Sequence, residues 1–193
     1  MTAGKTGTTG WSAPYRSGMG DRWGPGGPPP EAYSRVTDPQ RYVALHDVAD
    51  RLVTDLAERY DVAVTDEPAP GPGEVRAVRL HPRSVGGADL VVVHTDVGVR
   101  LRAGRWAEES FPHCGCDACD EEPEDLAEEL GEFALEVVHG RLAEELTGGP
   151  RRGTLAVRRP RSAGTQSLSR DDLRRLGPPG RHEWSPWPEP GDR

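Results

Sequence analysis

Two stripes of apolar residues at helical spacing, set on either side of a valine-rich stretch, constrain the fold of this chain more than anything else in it. Across residues 38–60, Tyr42, Leu45, Ala49, Leu52, Val53, Leu56 and Tyr60 share one face, while Asp47, Asp50, Arg51, Asp55 and Glu58 lie mostly off it. Asp38 suits an N-cap, and Pro39 suits the first helical position, where its missing N–H costs nothing. Across residues 123–146, Leu126, Leu130, Phe133, Val137 and Leu142 form the second stripe, opened by Pro123 and closed by Gly148-Gly149-Pro150. Between them the pattern predicts three strands, at 75–80, 89–95 and 97–106. The second carries Val91-Val92-Val93, and the third alternates Val97, Val99, Leu101 and Ala103 with Arg100 and Arg102. Thr95-Asp96-Val97-Gly98 fits a hairpin turn, which makes the last two strands antiparallel neighbours. The order helix, strands, helix predicts an α+β fold, with a small antiparallel sheet of about three strands and two main helices on one face.

Flexible tails are expected on either side of this domain, which the sequence places at residues 31–149. Residues 1–30 are rich in Gly and Pro and end in Gly24-Pro25-Gly26-Gly27-Pro28-Pro29-Pro30, too little apolar area to offset the backbone entropy of ordering. Trp11, Tyr15 and Trp23 are candidate docking rings within that segment. Residues 150–193 read as a basic tail containing Pro and Trp. Ser169-Arg170-Asp171-Asp172 carries a capping signal for a short helix, stopped by Gly177-Pro178-Pro179. Residues 120–145 hold eleven acids against Arg141, whereas residues 150–193 hold ten arginines against five acids. The contrast predicts that the tail docks on the acidic helix, with Trp184 and Trp187 as apolar anchors. The rival reading is that the acidic helix or the Trp-containing tails serve a protein partner.

The net charge of −8 disfavours indiscriminate nucleic-acid binding. Arginine enrichment adds little to that question. Lys5 is the only lysine and Ile and Asn are absent, the mark of GC-rich codons rather than of a phosphate site. No apolar run approaches the ~20 residues of a membrane helix, and the N-terminus lacks the apolar core of a signal peptide. An odd number of cysteines, three, points to a reducing, cytoplasmic setting. No P-loop, dinucleotide fingerprint, H-E-x-x-H or G-x-S-x-G occurs, which leans the reading away from an enzyme.

All three cysteines fall within Phe111-Pro112-His113-Cys114-Gly115-Cys116-Asp117-Ala118-Cys119-Asp120. Cys114, Cys116, Cys119 and His113 offer three sulfurs and a nitrogen, a set that zinc binds tetrahedrally. Adjacent His113 and Cys114 reach one ion awkwardly, so His81, His94, His139, His182, Asp117 or Asp120 are alternative fourth ligands. Reduced thiols that only pack, a disulfide, redox work at Cys116-Asp117-Ala118-Cys119 and a cysteine nucleophile are the other readings. Crowding by Asp117, Asp120, Glu121 and Glu122 works against the redox reading, because negative charge raises a thiol pKa. His46, His81, His94, His139 and His182 each have an ordinary structural explanation.

The segment from Phe111 to Glu121, together with Pro28-Pro29-Pro30-Glu31-Ala32-Tyr33-Ser34-Arg35-Val36-Thr37-Asp38-Pro39, resembles a family of uncharacterised proteins from high-GC Gram-positive bacteria. The resemblance covers roughly residues 28–146. It implies one bacterial cytosolic domain and carries over no activity.

Overall fold

The first apolar stripe folds in two pieces. Pro39–Val43 forms a 3-10 turn that runs directly into α1 (Ala44–Arg59), and Asp38 makes no side-chain cap. The computed structural model describes residues 21–69, 71–149 and 151–191; Trp11 and Tyr15 lie outside them.

The valine-rich stretch belongs to a larger sheet than the sequence predicts. β1 (Val62–Glu67), β2 (Glu74–Pro82), β3 (Leu90–Thr95), β4 (Val99–Ala103) and β5 (Ala107–Phe111) form a five-stranded antiparallel meander in chain order. The register pairs Val92 with Val78 and Leu101, so Leu80, Leu90, Val92, Val99 and Leu101 share one face. That face meets Leu45, Ala49 and Leu56 of α1 and Leu126, Leu130 and Phe133 of α2 (Pro123–Val138) in one hydrophobic cluster. On the opposite face Arg79, Arg100 and Arg102 lie over a floor of Ala77, Val91 and Val93, paired with Glu67, Asp89, Glu74 and Glu108.

The second stripe is a helix for only part of its length. Gly140 follows α2 with φ +66, a conformation that favours glycine, and a Cβ there would lie 2.5 Å from the backbone N of Pro186. Residues 143–146, expected to be helical, instead belong to β6 (Ala143–Gly148). Leu142, Glu144 and Leu146 all point inward, the period of a strand.

Where the sequence reads a basic tail, the structure has β7 (Arg152–Arg159), β8 (Ser162–Ser169), α3 (Arg170–Leu176) and β9 (Gly180–Glu183). With β6 they make a second antiparallel sheet in the order β8-β7-β6-β9. α3 opens with a full capping box between Ser169 and Asp172.

Glu144 and the segment after β9 both help to join the sheets. The buried carboxylate of Glu144 on β6 accepts the amides of Arg105, Trp106 and Ala107 at 2.9, 2.6 and 2.7 Å, and the indole N–H of Trp184 at 2.8 Å. The segment after β9 then threads back over the first sheet. Trp187 donates its indole N–H to the Ala88 carbonyl and its amide to that of Val138, and the Asp61 amide donates to the Pro188 carbonyl, each at 2.8 Å. One hydrophobic cluster consequently runs from Tyr42 through both sheets to Trp187. Among the described residues, no helix is long and apolar enough to cross a membrane.

Candidate metal centre

The cysteine loop spans the gap between β5 and α2, and the sequence shapes it at two backbone positions. Gly115 takes φ +71 and Asp120 takes φ +48, and Asp is one of the few side chains that tolerates the left-handed region. A Cβ on Gly115 would come within 3.1 Å of the Pro112 ring, so the turn carrying Cys114 and Cys116 favours glycine twice over. Residues 116–120 close as a tight turn, with the amides of Cys119 and Asp120 donating to the Cys116 carbonyl at 3.1 and 3.3 Å.

Glu121 fixes the loop from within. Its buried carboxylate accepts the amides of His113, Cys114 and Gly115 at 2.9, 3.1 and 2.6 Å, so three successive N–H groups are satisfied by one side chain. The Glu121 carbonyl accepts the Tyr42 hydroxyl at 3.2 Å, tying this end of the loop to the turn before α1.

Asp117 fixes it from outside. Its carboxylate takes the Thr37 hydroxyl at 2.6 Å, the Arg35 guanidinium at 2.6 Å and the Thr37 amide at 2.8 Å. Those bonds, Thr37 first and Arg35 next, hold its pKa down at about 2. Backbone pairing continues the seam, with Asp117 N–H to the Arg35 carbonyl at 2.8 Å and Ala118 N–H to that of Ala32 at 3.2 Å. Ala32 packs with Cys116 and Ala118 in a small cluster that Trp23 and Cys119 complete.

Held in this way, the three sulfurs converge. The Sγ atoms of Cys114, Cys116 and Cys119 all lie within 4.8 Å of one another, and none is in a disulfide. An ion bound at about 2.3 Å to each would set them about 3.8 Å apart, so a small contraction is enough. The thiols do not share protons evenly. Burial pushes Cys119 up, with hydrogen bonds to Cys116 and Cys114 adding to the rise. Cys114 is raised as well, by desolvation of its sulfur and then by its bond to Cys116. Cys116 alone is lowered. Burial works against it, and the Cys114 thiol together with the amide and thiol of Cys119 and the Ala118 amide outweigh burial. Those two amides, two and three residues beyond the sulfur, stabilise a thiolate at Cys116.

The structure leaves His113 elsewhere. Its Nε2 lies 2.7 Å from the Glu129 carboxylate on α2, and no histidine nitrogen or carboxylate oxygen joins the sulfur group among the described residues. His81 bonds Asp89, His94 faces α1 beside His46, and His182 stacks on Trp184. Sequence reasoning found the cysteines. It missed Glu121 as their internal brace and Arg35 and Thr37 as partners of Asp117. The one signal available was the proximity of acids to the cysteines, which reads equally well as a solvated run.

The fold and loop define an α+β protein with two antiparallel sheets and a three-sulfur cluster braced by two buried carboxylates. The chain belongs to a family of unknown function, DUF6226, whose model matches residues 12–191. No curated protein and no solved structure matches the chain.

Proposed function

We propose that this is a non-enzymatic, cytoplasmic metal-binding protein whose three cysteines hold one zinc ion, and that the ion fastens the segment before α1 to the loop before α2. The observation that carries the reading is the convergence of the sulfurs of all three cysteines to within 4.8 Å without a disulfide. Soft thiolates at that spacing suit zinc, and the amides of Cys119 and Ala118 that help lower the Cys116 pKa favour its thiolate as a ligand. The ion would stabilise the seam formed by Ala32, Arg35 and Thr37 against Asp117 and Ala118. The division of exposure favours this over nucleophilic catalysis. The thiol whose pKa is lowered, Cys116, is buried, while that of the exposed Cys114 is raised.

The test is metal analysis of full-length protein prepared without chelators. About one zinc per chain is expected, as for a single site. Replacing any one of the three cysteines with serine should lower metal content and thermal stability together, and expose residues 21–37 to proteolysis. Protein free of metal, with three freely titratable thiols and unable to take up added zinc, overturns the reading.

A further inference from the structure

The geometry points to an open metal site: the chain supplies only the three thiolates, and the fourth position on the ion takes water, exchangeable for a small exogenous nitrogen or sulfur donor. This rests on the zinc reading above and says what kind of zinc site it is. A closed structural site needs a fourth protein ligand; among the described residues no histidine nitrogen or carboxylate oxygen joins the three sulfurs, and Glu121, Asp117, Asp120 and His113 are engaged with other groups. Both oxygens of Glu121 accept backbone amides. Asp117 accepts Thr37 and Arg35, the Asp120 carboxylate faces Arg41 at 3.9 Å, and His113 meets Glu129. No further thiol exists, because the sequence has no fourth cysteine, and its two methionines, Met1 and Met19, lie outside the described residues. Among His, Cys, Asp and Glu, the side chains of Asp21 and Asp192 alone fall outside the described ones.

The surroundings also leave room for an incoming donor. Cys114 is exposed, so the cluster is reached from solvent on that side. A cleft of about 110 Å³ lined by Thr37, Asp38, Arg41, Gly115 and Asp117 adjoins the loop, with Gly115 lying between two of the cysteines in sequence. The recognised class is therefore a donor of a few heavy atoms, such as an imidazole or a low-molecular-weight thiol.

Cobalt(II) substitution of the full chain tests this, because its visible bands report the ligand set. We expect a thiolate-to-cobalt charge-transfer band with the intensity of three sulfurs, and visible bands that shift saturably when imidazole or 2-mercaptoethanol is added. His113→Ala should leave the spectrum unchanged and cost no more than the about 10–100-fold in affinity that loss of an outer contact costs. Visible bands indifferent to both additives, or altered by His113→Ala, would show a site closed by the protein, overturning the open site while leaving the zinc reading intact. Failure to bind either cobalt or zinc overturns both.

Discussion

The guanidinium of Arg159 on β7 is wedged against the carboxylate of Glu136 on α2 at 3.2 Å, with only 6% and 7% of the two side chains exposed. Glu109 on β5 closes on the same guanidinium, which also lies 4.2 Å over the Phe133 ring. The second sheet is thus locked to the helix and to the edge of the first sheet by a buried ion triad. Breaking a buried pair from one side leaves uncompensated charge, so Arg159→Ala should cost about 3–5 kcal/mol in denaturant unfolding. Arg158, whose bond to Glu145 is exposed, should cost about 0–1 kcal/mol and lose that in high salt. Equal effects of the two substitutions would count against the triad.

Glu144 supports a second prediction. Four N–H groups converge on its carboxylate, and each buried donor left without an acceptor costs about 1–3 kcal/mol. Glu144→Ala should therefore lose at least about 3 kcal/mol. Glu144→Gln should also destabilise, because its amide NH2 must face a donor. Trp184 fluorescence should shift to the red in both variants as its indole N–H turns to solvent. An unshifted spectrum with unchanged stability would rule out the brace.

How much of this was legible in the sequence depended on which residues face inward. α1 and the start of α2 could be read because their stripes run through several turns, and β3 and β4 because Val91-Val92-Val93 and Val99-x-Leu101 carry β-branched or apolar residues inward. β5 and β6 could not, because the residues that turn toward the interior include Glu109 and Glu144, and an inward carboxylate erases the alternation on which strand assignment rests. In β8, Ser162–Ser169, Ala163 and Leu168 are the only apolar side chains apart from a glycine, so the strand reads as a loop. The candidate site divides the same way. The spacing of the cysteines is local and visible, whereas Asp117 meets Arg35 and Thr37 across 82 and 80 residues, a distance at which no periodicity operates.

The third prediction concerns acid. His94 on β3 is buried against α1, with the His46 ring centroid 5.0 Å away and Asp50 at 3.2 Å. Burial pushes its pKa down. Asp50 partly counters this, while His46 and Arg76 lower it further. A histidine held neutral in the fold makes no demand above the unfolded value of 6.5. As pH falls through that value the unfolded chain takes up the proton first, and stability is lost until the folded pKa is reached. Urea unfolding between pH 7 and pH 5 should show this as a decline of at most about 1.4 kcal/mol per pH unit for one proton. His94→Gln should flatten it. An undiminished slope in that variant would assign the acid sensitivity to another group.

The strap from Trp184 to Pro188 has a consequence for how the molecule is born. It bonds Leu142, Gly86, Ala88, Val138 and Asp61, all of which leave the ribosome earlier. Until residue 187 emerges, the Ala88 carbonyl and the hollow that Trp187 fills stay wet, and the apolar face between α2 and the first sheet cannot seal. The meander can assemble during synthesis, but its last layer is laid by residues made after every strand of both sheets. A nascent chain halted at β9 would hold both sheets and still expose the core that the missing tryptophan covers.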